Sequence, residues 1–247
     1  MLAKPSIKGD VLVSFVLPAF NESPVIEHSL ESLDKIVNGL KWYEIVVVDD
    51  GSVDDTRLRA MRYASRNSHV RVVSYYPNVG KGYAVRTGFW ECRGEFVVFV
   101  DSDSNISFDI VNRYINALRG ADIVIGSKLH KSSVVEVSLM RKLLSLGFNF
   151  LVRLLTGLDV SDTQCGIKAI RREAFYDVFK HLCVKRYAFD VELLVLAKLY
   201  GLKVVELPVK LTLKSRFSFR EVWRMFLDLL GIAYRLRVKK WYQHGLA

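Results

Sequence analysis

The chain has 247 residues, of which 51% are hydrophobic and 12% aromatic: enough for one sizeable core and too apolar for a disordered segment. Lysine and arginine total 36 against 26 acidic residues, a net charge of +10, which suits nucleic acid, an anionic lipid surface or an anionic substrate equally. The three cysteines, Cys92, Cys165 and Cys183, include no C-x-x-C pair, which excludes a disulfide framework or a zinc knuckle and fits a reducing, cytoplasmic setting.

The first apolar run, Val11 to Leu17, follows Lys4 and Lys8 but precedes no convincing small-x-small cleavage site, so it is expected as a buried strand and not as a signal-peptide core. Helical spacing then covers Pro24 to Val37, Asp54 to Arg66 and Gly82 to Cys92, alternating with short β-branched or aromatic runs at Ile45 to Val48, Val70 to Tyr75 and Phe96 to Val100. That βαβα order predicts an α/β fold with a mostly parallel sheet covered on both faces. A fifth strand is expected at Ile123 to Ile125. Helices follow at Ser138 to Thr156, Arg172 to His181 and Phe189 to Tyr200, with a late strand over Lys203 to Leu213. No repeat or Pro/Gly-rich linker divides the chain, which reads as one domain over 1–213 with a basic appendage over 214–247. From Lys210 onward there are nine basic residues and two acidic ones. No stretch of about 20 apolar residues is free of charge, so no spanning helix is expected; Trp223 to Leu236 contains Arg224, Asp228 and Arg235.

In sheets of this kind ligands bind beyond the carboxyl ends of the strands. Strand one ends in Pro18-Ala19-Phe20-Asn21-Glu22, strand two in Asp49-Asp50-Gly51-Ser52 and strand four in Asp101-Ser102-Asp103-Ser104. Two carboxylates one residue apart after a buried strand can face a divalent cation that also holds a diphosphate, and hard oxygen ligands suit Mg²⁺ or Mn²⁺. The same residues also read as turns that cap the following helices. Asn78-Val79-Gly80-Lys81-Gly82 offers backbone donors and an ammonium at a helix start, an anion site or a plain turn. Its spacing matches neither the P-loop nor the dinucleotide fingerprint.

Together, P-A-F-N-E, V-D-D-G-S, N-x-G-K-G and D-S-D resemble glycosyltransferase family 2, of the GT-A (Rossmann-like) fold, over nearly the full chain. Asp162-Thr163-Gln164-Cys165-Gly166-Ile167-Lys168 and Arg186-Tyr187-Ala188-Phe189-Asp190-Val191-Glu192 resemble the dolichyl-phosphate β-glucosyltransferases within it, with the polyprenyl-phosphate mannose synthases as the alternative. The resemblance implies an inverting, metal-dependent transfer of a hexose from UDP-glucose, or of mannose from GDP-mannose, to dolichyl or polyprenyl phosphate. It places Pro18, Ala19, Asn21, Glu22, Asp50, Gly80, Lys81 and Ser102 at the nucleotide sugar. Asp101 and Asp103 take the metal with help from Asn105, and Asp190 and Gln164 complete the catalytic set. Lys214 and Arg216, in a basic loop after the last strand, are expected to close over the phosphates.

Between Ser138 and Thr156 the polar residues Ser138, Arg141, Lys142, Ser145, Asn149, Arg153 and Thr156 recur at steps of three and four, the remainder being apolar apart from one glycine. Arg220, Glu221, Arg224, Asp228, Gly231 and Arg235 form a second stripe opposite an aromatic and aliphatic face. Two such helices, with Trp223, Tyr234, Trp241 and Tyr242 beside basic residues, predict a peripheral site at the cytoplasmic face of a membrane. There Lys128, Arg141 and Ser145 are expected to hold the acceptor phosphate. Two further readings are a non-catalytic module that binds a nucleotide sugar or lipid, and a nucleic-acid binder. The first sits poorly with so complete a motif set. The second lacks the stacking platform of a recognisable RNA module, so no nucleic-acid partner is expected.

Overall fold

The computed structural model describes residues 13–40, 42–102, 110–212 and 219–243. Strand β1 (Val13–Ala19) is buried along its whole length, as an all-apolar run in the middle of a parallel sheet must be. Helix α1 (Ile26–Val37) returns the chain to β2 (Tyr43–Asp49), α2 (Thr56–Ala64) leads to β3 (Val70–Ser74), and α3 (Lys81–Glu91) leads back across to β4 (Phe96–Val100). All four strands are parallel, and β1 lies between β2 and β4. The order therefore reverses at β1, and a crevice opens beyond the carboxyl ends of β1 and β4.

The second half extends the sheet differently. After α4 (Val111–Ala117) come β5 (Ile123–Ser127), the short β6 (Val134–Glu136), α5 (Leu139–Thr156) and β7 (Ile167–Arg171). Strand β7 runs antiparallel between β4 and β5. Its amino end thus meets the carboxyl ends of its neighbours, which brings the loop before it to the crevice rim. Helices α6 (Arg172–His181) and α7 (Phe189–Leu199) precede β8 (Val204–Pro208), which pairs with β5 and completes the order β3-β2-β1-β4-β7-β5-β8.

The single late strand expected over Lys203 to Leu213 is in fact two. Pro208, which has no N–H for a ladder, closes β8, and the Val209 N–H donates to Ser133 Oγ at 3.0 Å. The chain then leaves the main sheet to form β9 (Lys210–Thr212), paired with β6. The short β7 and α4 fell outside the elements expected from sequence.

The sheet separates two cores. Phe15 and Leu17 pack with Ile26, Leu30, Leu33 and Tyr114 on one face. Val16, Val46 and Val48 pack with Phe89, Phe179, Leu193 and Leu194 on the other. Helix α8 (Phe219–Arg237) and a 3₁₀ turn (Trp241–Gln243) join this second core through Leu229, Ile232 and Tyr242. The described part of the segment expected as an appendage is thus built into the core. It is fastened by Glu192, fully buried on α7, which accepts from the Cys183 and Val184 N–H groups at 2.8 and 2.7 Å, from the Tyr242 hydroxyl and from Arg235 at 3.4 Å.

Candidate functional site

At the strand reversal a cavity of about 450 Å³ is lined by Pro18, Ala19, Glu22, Asp50, Gly80, Lys81, Asp101 and Ser102. The polar groups of its floor are held by the protein itself. The Asp50 carboxylate, 3% exposed, accepts from Asn78 Nδ2 at 2.7 Å and from the Val79 and Gly80 N–H groups at 2.9 Å each. It thereby caps the start of α3, where a negative charge is favoured. Ser102 Oγ donates to the Pro18 carbonyl at 2.8 Å, and the Ser102 carbonyl accepts from Ser29 Oγ at 2.7 Å. The first bond ties the end of β1 to that of β4, and the second ties the end of β4 to α1.

Asn21 is not among the lining residues. Its Oδ1 accepts from the Val53 N–H at 3.0 Å and its own N–H donates to Ser52 Oγ at 3.0 Å. It joins the β1–α1 turn to the β2–α2 turn at φ 55°, a conformation Asn tolerates well.

Close packing explains the glycines of N-V-G-K-G. A Cβ on Gly80, where φ is +125°, would lie 2.6 Å from the Lys185 carbonyl, and one on Gly82 would lie 2.6 Å from Phe189 Cβ. The start of α3 therefore rests directly on the segment that enters α7. That contact carries Arg186 and Tyr187 to the cavity wall.

Lys81 and Asp101 form an ion pair at 2.5 Å, and both also line a second cavity of about 620 Å³. Lys128, Arg141, Ser145, Gln164 and Asp190 line this second cavity, so the three residues expected at an acceptor phosphate and two of the expected catalytic set come together. The geometry follows from the topology. Lys128 continues β5, Gln164 precedes the antiparallel β7, and the Asp101 N–H donates to the Gly166 carbonyl at 3.1 Å. Arg141 and Ser145 project from the first turns of α5.

Two buried ion pairs support the second cavity. Asp162 meets the Lys128 ammonium at 2.6 Å. Burial alone would raise its carboxyl, but the Lys128 charge and hydrogen bonds from Lys128 and the Gln164 backbone hold it below the usual value. Asp190 meets Lys168 at 2.8 Å, and Lys168 also donates to the Cys165 carbonyl at 2.7 Å. Here burial dominates: the Asp190 carboxyl is pushed up despite Lys168 and Lys81.

Asp103, Asn105, Lys214 and Arg216 lie outside the described residues. Among the described residues no group of three or more His, Cys, Asp or Glu is set to hold a metal. The donor chemistry nonetheless fits a hard divalent cation: Asp101 presents carboxylate oxygens where the two cavities meet, with a cation already against it in the form of Lys81. A diphosphate in the first cavity would supply further oxygens.

Arg186, Tyr187, Glu221, Arg224 and Asp228 of the first cavity were missed as site residues. The signal for the first pair was their position just ahead of Asp190. Arg224 and Asp228 stood in the polar stripe of the last helix, and nothing in sequence says which body a polar stripe faces.

The family model for glycosyl transferase family 2 matches residues 14–179. The chain belongs to glycosyltransferase family 2. A dolichyl-phosphate β-glucosyltransferase of Homo sapiens is 35% identical over 249 residues, 93% of this chain and 77% of that protein. One from Trichomonas vaginalis is 33% identical over 94% of this chain and 74% of its own length. The crystal structure of glucosyl-3-phosphoglycerate synthase from Mycobacterium tuberculosis, in complex with Mn²⁺, uridine diphosphate and glucosyl-3-phosphoglycerate, superimposes with a TM-score of 0.72 at 24% identity, over 92% of this chain and 80% of that one. The architecture of this glycosyltransferase is therefore the GT-A fold, as its motifs led one to expect.

Proposed function

We propose that this enzyme transfers glucose from UDP-glucose to dolichyl or polyprenyl phosphate, with inversion, as a peripheral protein at the cytoplasmic face of a membrane. The observation that carries the reading is the pair of cavities meeting at Asp101 and Lys81. One is polar and lies at the strand reversal; the other is lined by Lys128 and Arg141 on one side and by Leu144, Leu146 and Phe148 of α5 on another. A nucleotide sugar in the first, with its diphosphate at Asp101 and Lys81, presents its anomeric carbon toward the second. A lipid phosphate held there by Lys128, Arg141 and Ser145 reaches that carbon from the side opposite the leaving nucleotide, which inverts its configuration.

The second pKa of a phosphate monoester is near 6, so the attacking oxygen is largely ionised at neutrality. No general base is needed. Asp190 and Gln164 then serve the sugar hydroxyls and the acceptor's orientation. An Mg²⁺ or Mn²⁺ ion held by Asp101, with Asp103 and Asn105 of the D-S-D segment, would neutralise charge on the departing diphosphate.

The outer face of α5 supports the membrane. Leu139, Met140, Leu143, Phe150 and Leu154 are exposed, while Asn149 and Thr156 are buried. Part of the polar stripe thus points inward, with Lys142 and Arg153 still exposed, and the apolar side of α5 leaves a surface beside the acceptor cavity such as a soluble protein rarely carries. No helix among the described residues is long and apolar enough to cross a membrane. The three cysteines are free thiols, in keeping with a reducing compartment.

Incubation of the purified protein with UDP-glucose or GDP-mannose, dolichyl phosphate and either cation tests the reading. Dolichyl-phosphate glucose is the expected product. Transfer of mannose in preference to glucose would overturn the donor assignment. Collapse of turnover in Asp190→Asn with substrate affinities intact would overturn the base-free scheme.

A further inference from the structure

Helix α8 carries two functions on opposite sides. Trp223, Leu227, Leu230 and Tyr234, spaced by four, three and four residues, form one stripe, and they are 60%, 48%, 40% and 50% exposed. Glu221 and Met225, about half a turn away, and Arg224 and Asp228, about a quarter to a third of a turn away, line the first cavity. Asp228 is half-buried there, and burial raises its carboxyl even though Arg186 and Arg235 favour its charge. The helix is thus one wall of the nucleotide cavity and, on its other side, an apolar surface.

The two ends of α8 are fixed to different degrees. Its carboxyl half is locked by Leu229 and Ile232, both fully buried, by the Arg235–Glu192 contact, and by Arg237, which donates to the Leu154 carbonyl of α5 at 2.9 Å. In its amino half Met225 is the one side chain buried among the described residues. A segment with few buried contacts sits at low local stability, so packing inside the protein fixes the position of the cavity wall only weakly.

A bilayer can supply what packing does not. The exposed stripe and the apolar outer face of α5 belong to helices that pack on each other. The stripe carries Trp223 and Tyr234, which favour the headgroup level. Arg220, Arg237, Lys239 and Lys240 are exposed around it, and each basic side chain near an anionic surface adds attraction. The matching partner is an anionic lipid surface.

We infer that docking of α8 on an anionic bilayer fixes its inner face over the nucleotide cavity, so that the membrane strengthens binding of the nucleoside diphosphate, with Arg224 and Asp228 as the residues that transmit it. This rests on the peripheral-membrane reading above and adds a coupling between lipid surface and donor. Coupling requires that the lipid favour one arrangement of the wall over others. It must also be reciprocal.

The test measures the dissociation constant of UDP with Mn²⁺, by calorimetry, with and without phosphatidylserine-containing vesicles, and measures vesicle binding by co-sedimentation. The expected result is a tightening of UDP binding by about fivefold or more on vesicles, the lower end of usual coupling, and an equal gain in vesicle affinity when UDP is present. Trp223→Ser, alone and with Leu227→Ser, should keep the vesicle-free UDP affinity and lose the tightening. Arg224→Ala with Asp228→Ala should still sediment with vesicles and also lose it. Vesicle binding with unchanged UDP affinity overturns the coupling and leaves the membrane reading standing. Absence of vesicle binding overturns both. Full tightening in the Trp223 and Leu227 variants, or in the Arg224 and Asp228 variant, overturns the role given to α8.

Discussion

The cavity at the ends of β1, β2 and β4 is walled by polar groups already engaged within the protein, whereas the one beside α5 adds to shared charged residues the cations Lys128 and Arg141 and the apolar Leu144, Leu146 and Phe148. In the first, Asp50 accepts from Asn78, Val79 and Gly80, and Ser102 bridges two strand ends. Such a site is preorganised, because the second layer of bonds fixes the groups a ligand meets. In the second, α5 presents Arg141 and Ser145 inward while Leu143, Phe150 and Leu154 remain exposed on its far side. On the proposed reading, the fold itself sets the donor side, and the acceptor side borrows part of its boundary from whatever covers those apolar side chains, as a substrate with a hydrocarbon tail would require.

Asp101, which with Lys81 lines both cavities, is where the comparison breaks most sharply. Asp101→Ala should lower transfer by at least about 10²-fold, the scale for removing one preorganised electrostatic contact to a developing charge. Melting should move little, since Asp101 stands at the cavity surface. A steady-state assay with both substrates varied would detect the loss. Turnover close to that of the native enzyme would remove Asp101 from the chemistry.

A smaller effect sharpens the contrast by separating the cavities. Asp50→Ala leaves the Val79 and Gly80 N–H groups without their acceptor. It should cost about 1–3 kcal/mol of stability and raise KM for the nucleotide sugar. Arg141→Ala removes a cation lining the second cavity. It should raise KM for the lipid phosphate about tenfold, as loss of a charged hydrogen bond implies, and leave melting unchanged. Thermal scans and the two KM values decide. Equal effects of both variants on both substrates would mean that the cavities are not distinct sites.

How much of this was legible in sequence depends on how local the cause is. Strands β1 to β4 and helices α1 to α3 follow from apolar runs and periodicity, and their ends could be placed because ligands in parallel sheets gather there. Asp50 and Asp101 were singled out that way, Lys81 by its place at a helix start, and all three line the first cavity. The polar stripe of α5 was visible too, but periodicity fixes only that two faces differ. That Asn149 and Thr156 face in while Leu143 and Leu154 face out depends on what packs beneath the helix, such as Thr163, which donates to Asn149 Oδ1. Helix α7 makes the converse point: Leu193, Leu194 and Leu196 are fully buried, and its acidic Asp190 and Glu192 go inward with them, each met by a partner from a distant element. Lys168 arrives on β7, and Tyr242 comes from beyond α8. Such pairings need the three-dimensional path of the chain. So does Asn21, whose landmark position suggested ligand contact and whose side chain joins two turns.

The smallest expected effect concerns the pair that holds the second cavity's floor. Asp162 is almost wholly buried, and its carboxyl is held below the ordinary value, burial being outweighed by Lys128 and by backbone hydrogen bonds. The unfolded chain therefore binds this proton more readily than the folded one, and stability rises with pH between the two values. The contribution is complete above the unfolded carboxylate value of about 3.9 and is lost as pH falls through the lowered one. Asp162→Asn keeps the side chain's shape and removes its titration. Urea unfolding of both proteins from neutrality down to strongly acidic pH should show the native enzyme losing more stability below about pH 4 than the variant. Parallel curves would mean that the Lys128–Asp162 pair is no stronger in the folded state than water is for the separate charges. The second cavity would then lack the rigid cationic corner that its proposed grip on a phosphate demands.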